Sequence, residues 1–157
     1  MNTKRFVVIL LVIFSVMAPF ISADAQETIG VVRNVAGKAT ITRGDQILPV
    51  AAGMKLLPGD TLGTGSEGTL GVILRDDSTL SLGPGSELVI EEFLFSPAEG
   101  KLGLLARITR GTMAYLSGLI GKLSPESARF ETPTATIGIR GTYFVVMVGE
   151  PVAKKGG

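Results

Sequence analysis

The chain contains no histidine and no cysteine, so the commonest general base, the thiolate nucleophile and the usual transition-metal ligands are missing at the outset. A serine nucleophile would need a lysine or carboxylate beside it as base, and no spacing in the sequence suggests one. Two adjacent carboxylate pairs remain, Asp76-Asp77 and Glu91-Glu92. The first falls in a turn-forming run and the second in a strand pattern that sends neighbours to opposite faces, so neither predicts a facing acid/base pair. Calcium accepts oxygen ligands alone, and Asp45, Asp60, Asp76 and Asp77 all fall in predicted turns. The calcium-binding nonapeptide repeat is absent, however, and turn aspartates more often bond their own backbone. Gly63-Thr64-Gly65-Ser66-Glu67-Gly68 has the letters of a dinucleotide fingerprint, which works only between a strand and a helix N-terminus. Thr69 to Leu74 alternates like a strand, which predicts a turn between strands there. No catalytic residue, cofactor or metal is expected.

Arg140 is the side chain that stands out, lying between Gly138 and Gly141 with apolar Ile137 and Ile139 and aromatic Tyr143 nearby. Its five donors suit backbone carbonyls at a strand end, or a partner's carboxylate or glycan. The flanking glycines would admit close backbone approach, which favours the first use.

The elements that must position these residues are short. With 21 glycines and 8 prolines in 157 residues, few windows are long enough for an amphipathic helix, and the length suits one domain. Strands are predicted at Ile29 to Val35 and Lys38 to Arg43, read as a pair joined at Ala36-Gly37, with Arg43-Gly44-Asp45-Gln46 as the next turn. Apolar pairs two apart then recur at Leu70 and Val72, Leu80 and Leu82, and Leu88 and Ile90, separated by turn residues. Further strands are expected at Leu102 to Thr109, Gly111 to Ser117, Ala128 to Thr132, Thr134 to Ile139 and Thr142 to Val148, with Ser96 to Gly100 as a joint between sub-blocks. Helix, if present, falls near Tyr115 to Leu123. The fold class is therefore all-β, one domain of many short strands, either β-solenoid or roll-like or an antiparallel sandwich.

Residues 1–25 have another character. Lys4 and Arg5 precede an apolar run from Phe6 to Phe20, and Ala23-Asp24-Ala25 offers small residues for signal peptidase, which together predict an export signal. Ser15 and Pro19 interrupt a run already short for a membrane span; an uncleaved inner-membrane anchor is the competing reading. The remaining 132 residues carry 13 basic and 13 acidic side chains, a balance that argues against nucleic acid or a polybasic contact with anionic lipid. Residues 150–157, ending Ala153-Lys154-Lys155-Gly156-Gly157, predict a flexible tail.

In order, GVVRNVAGKATITRG, AAGMKLLPGDTLGTGSEGTLGVILRDDSTLSLGPGSELVIEEF and ARFETPTATIGIRGTYFVVMV resemble the successive blocks of a FecR-type domain, over residues 29–149. The most specific part is the closing run from Thr132 to Thr142, containing Pro133, Thr136, Gly138, Arg140, Gly141 and Thr142; an earlier block holds Gly59-Asp60. Asp76-Asp77-Ser78 replaces the family's Asp-Gly-Ser, and Gly85 replaces its Asn, both swaps that keep a turn possible. The resemblance implies a non-catalytic, periplasmic module that senses signals or binds another envelope protein. Only Met1 to Arg5 precede the apolar run, so the family's sigma-regulating cytoplasmic role is not carried over. The alternative is a structural or glycan-binding β-scaffold of the envelope or cell surface.

Overall fold

The computed structural model describes residues 27–149; the predicted export signal and tail lie outside the described residues. Twelve strands make one curled sheet: β1 Gly30–Ala36, β2 Ala39–Arg43, β3 Gln46–Pro49, β4 Lys55–Leu56, β5 Thr61–Thr64, β6 Thr69–Leu74, β7 Thr79–Leu82, β8 Glu87–Ser96, β9 Lys101–Leu116, β10 Ala128–Glu131, β11 Thr136–Gly138 and β12 Tyr143–Val148. One short helix, α1 Leu119–Leu123, follows β9. All pairings are antiparallel except β9 with β10, so the chain builds a folded-over antiparallel sheet rather than coils of parallel rungs.

The long strand β9 joins the two halves. Its first part pairs with β8 on one side and β10 on the other, giving the order β3-β2-β5-β8-β9-β10-β11. Its second part pairs with β7 and β12, giving β4-β1-β6-β7-β9-β12. Gly111 marks the change, with φ +83° and no room for a Cβ, which would stand 2.3 Å from Ser86 Oγ. The two predicted strands on either side of Gly111 are thus one bent strand.

Period-two alternation then sends apolar side chains from both halves into one interior. Leu70, Val72, Leu80 and Leu82 enter from one half, and Ile41, Leu62, Leu88, Ile90 and Ile108 from the other, all buried. Tyr115, Phe130 and Phe144, from β9, β10 and β12, pack with ring centroids 4.7, 5.0 and 5.5 Å apart and pin the last strands to this core.

Two expectations need correction. β1 and β2 do not form a hairpin: β1 pairs with β4 and β6, and β2 with β3 and β5. At Gly37 (φ +65°) the chain rounds a corner between halves, with Glu67 O too close to admit a Cβ, so each strand buries its apolar face from a different side. Ser96 to Gly100 is not a joint between sub-blocks. It is the turn of the β8–β9 hairpin, a single 3-10 turn closed by Gly100 at φ +67°, and Ser96 pairs with Lys101.

Candidate functional site

The polar side chains singled out for chemistry are mostly tied into the scaffold. Asp60, 1% exposed, accepts both Arg43 Nε and a terminal guanidinium nitrogen at 2.8 Å, and the Leu57 N–H at 2.8 Å. Arg43 also donates to Lys55 O at 3.0 Å, and the guanidinium, held by the Asp60 carboxylate, loses its proton even less readily than usual. Gly59 (φ +83°) shapes the turn and donates to Ile90 O at 2.9 Å. The pair thus clamps the end of β2 to the start of β5.

Asp76 is fully buried in the β6–β7 turn. Its carboxylate accepts Ser78 Oγ at 2.7 Å, Ser78 N at 3.1 Å and Ile120 N at 3.1 Å, so it holds both its own turn and the start of α1. Ser78 Oγ also accepts Gly118 N at 3.0 Å and sits 3.0 Å from Tyr115 Oη. Burial raises the phenol of Tyr115 above its usual pKa, partly offset by its hydroxyl neighbours. Asp77 takes the left-handed conformation at φ +65°, as the Asp-for-Gly swap allows. Gly85 does the same at φ +62° in the Gly83–Ser86 turn, where Ser86 and Thr64 exchange backbone and hydroxyl bonds of 2.8 and 2.9 Å.

The other candidates resolve simply. The Gly63–Gly68 run is the end of β5 and the turn into β6, followed by a strand rather than a helix. Glu91 and Glu92 do not divide between two faces: a bulge between Ile90 and Glu92 leaves both exposed. Among the described residues no cluster of three or more acidic side chains is placed to hold a metal ion.

The closing run behaves differently, because it builds the side on which the sandwich stays open. Thr132 N donates to Ala135 O at 2.8 Å and Thr132 Oγ1 accepts Ala135 N at 2.9 Å, forming the β10–β11 turn with Pro133 and Thr134 exposed at its tip. β11, beginning at Thr136, is the edge of the first half. Ile139 is buried, Arg140 exposed and Gly141 extreme in φ at +136°; Thr142 O then accepts Ser117 N at 2.7 Å just before β12, the edge of the second half. The run therefore carries the chain from one edge to the other.

Between those edges lies a cleft of about 260 Å³ lined by Ile137, Ile139, Arg140, Tyr143, Phe144 and Val146, among others. A second hollow, of about 400 Å³, lies between the Thr132–Thr134 turn and the far end of β12 at Met147 and Val148. Among the described residues Arg140 makes no hydrogen bond or ion pair, and a Cβ at Gly138 or Gly141 would meet nothing within 4 Å. The close backbone approach expected around Arg140 is not found; Gly141 serves its positive φ and Arg140 stands at the mouth of the cleft. Gly59 and Asp60 bond to other parts of the scaffold and are not joined to this run.

The last strand carries no motif. β12, Tyr143-Phe144-Val145-Val146-Met147-Val148, is apolar on both faces: Tyr143, Val145 and Met147 are exposed and Phe144, Val146 and Val148 half-buried. Six residues without a charge or proline were a legible signal for this edge.

Fold and site together define an all-β protein whose buried polar side chains are hydrogen-bonded within the fold and whose open side is apolar and poor in charge. The chain matches no protein-family model, no curated protein and no solved structure. Among the described residues no helix is long and apolar enough to cross a membrane.

Proposed function

We propose that this chain is an exported, non-catalytic FecR-type module of the periplasm that binds another envelope protein along the open side between β11 and β12. The observation that carries the reading is the position of the closing run: the segment most specific to the family resemblance forms the wall, mouth and crossover of the cleft. Support also comes from the fate of Asp60 and Asp76, whose carboxylates are committed to Arg43 and to backbone and hydroxyl donors. Extended peptides recognise such edges through main-chain bonds, with alternate side chains filling apolar hollows.

Two experiments test it. Fractionation with N-terminal sequencing should recover a chain beginning at Gln26 in the soluble periplasmic fraction; retention of Met1 in the membrane fraction would refute export by cleavage. Mild cross-linking of tagged wild-type chain should capture an envelope protein that Ile137→Asp and Arg140→Glu each lose while remaining folded. Capture unchanged in both variants would place the binding elsewhere.

A further inference from the structure

The open side has two edges, and they are not equally protected. Exposed strand edges are normally blunted by shortness, lysine or proline. β4 is two residues long and carries Lys55; β3 ends in Pro49; β11 is three residues long. β12 is six residues long with none of these devices, and among the described residues it pairs only with β9.

Its hydrogen-bonding direction follows from the register. Ser117 N bonds Thr142 O, and antiparallel alternation then turns the main-chain groups of Phe144, Val146 and Val148 toward β9. The N–H and C=O groups of Tyr143, Val145 and Met147 face outward. A two-fold axis perpendicular to the sheet, passing midway between the two Val145 residues, pairs these three positions among themselves: Tyr143 with Met147, and Val145 with Val145. All the outward groups of the three residues find partners in that register. Side chains agree on both faces, with Tyr143 beside Met147 on the outside and Phe144 beside Val146 on the inside, aromatic pairings of the kind that stabilise adjacent strands.

The apolar surface continues inward from the edge. Register places Tyr143 beside Leu116, Leu116 beside Thr79, Thr79 beside Ile73 and Ile73 beside Val31, a row across the outer face with no charge before Lys55.

We infer that β12 pairs with β12 of a second copy of this chain, antiparallel about Val145, fusing two sheets into one. This goes beyond the partner-binding reading and is testable on purified chain with no envelope protein present, so either can fail alone. The chain has no cysteine, which makes a single introduced thiol decisive. Directly opposed residues in a hydrogen-bonded antiparallel pair stand about 5.5 Å apart, inside the span of a disulfide.

Full-length chain purified from the envelope fraction should sediment at twice the mass of one chain. Val145→Cys should link into a dimer under mild oxidation, whereas Ile47→Cys, more exposed but on the guarded edge β3, should stay monomeric. Val145→Pro removes an outward N–H that the fold does not use, and should halve the sedimenting mass with the circular dichroism unchanged. A wild-type monomer, equal linking at positions 47 and 145, or a Val145→Pro chain that remains dimeric would each overturn the inference.

Discussion

Asp60 and Tyr143 belong to two sides of one sandwich built on different terms. Around Asp60, and equally around Asp76, polar side chains are buried and every donor or acceptor has a partner; among the described residues no buried side-chain nitrogen or oxygen is left without one. Around Tyr143 the large apolar side chains of Leu116, Val145 and Met147 are exposed. A buried satisfied network fixes a single geometry and tolerates little change, whereas an exposed apolar edge adds little to the fold and is free to serve association. Substitution should separate the two sides cleanly.

The largest effect is expected at Arg43. Removing it leaves the Asp60 carboxylate buried with no cation, so Arg43→Ala should cost about 3–5 kcal/mol in denaturant unfolding. Asp60→Ala should cost less, because the Arg43 side chain, 32% exposed, can take up water. Were the two losses equal, the clamp would not depend on which partner is buried. Next comes Asp76→Ala, which strands the Ile120 and Ser78 N–H groups and should lose roughly 3 kcal/mol, read by the same measurement.

Tyr115 sharpens the comparison through pH. Its phenol is held neutral by burial, so its folded pKa lies above the usual value near 10. The neutral form's contribution is complete below that value and disappears as pH climbs through the raised one. Unfolding free energy should therefore fall above about pH 10, and a Tyr115→Phe chain should show a shallower alkaline decline. An identical decline in both chains would remove Tyr115 from the cause.

The smallest effect on stability belongs to the open side. Tyr143→Thr and Met147→Thr keep strand propensity and remove only exposed apolar surface, so each should shift unfolding by less than about 0.5 kcal/mol. Partner capture should nonetheless fall. Losses comparable to those at Arg43 would mean that this face is part of the fold's own core.

Much of this was legible from residues alone, and the limits are physical. The two-apart pairs such as Leu70 and Val72 announced strands because alternation is a local property, and Gly44, Asp77 and Gly85 announced turns because positive φ is local too. Pairing is not local. Nothing in Ile29 to Arg43 reveals that β1 and β2 part at Gly37 to opposite halves, since each alternates equally well beside any neighbour. The bond from Asp76 to Ile120 spans 44 residues, so sequence reading placed that carboxylate in a turn without seeing what else it holds. At the candidate site the closing run stands out by resemblance, whereas the bare edge of β12 shows in its composition alone and carries no motif.

The central claim is that association belongs to the open side and the guarded side merely holds shape. Photo-cross-linking in living cells puts that to trial, with a photoreactive residue at Met147 in one strain and at Ile47 in another, both highly exposed. The account predicts discrete covalent adducts from position 147, to an envelope protein or to a second copy, and none from position 47. Adducts from position 47 alone, or the same adducts from both, would contradict it.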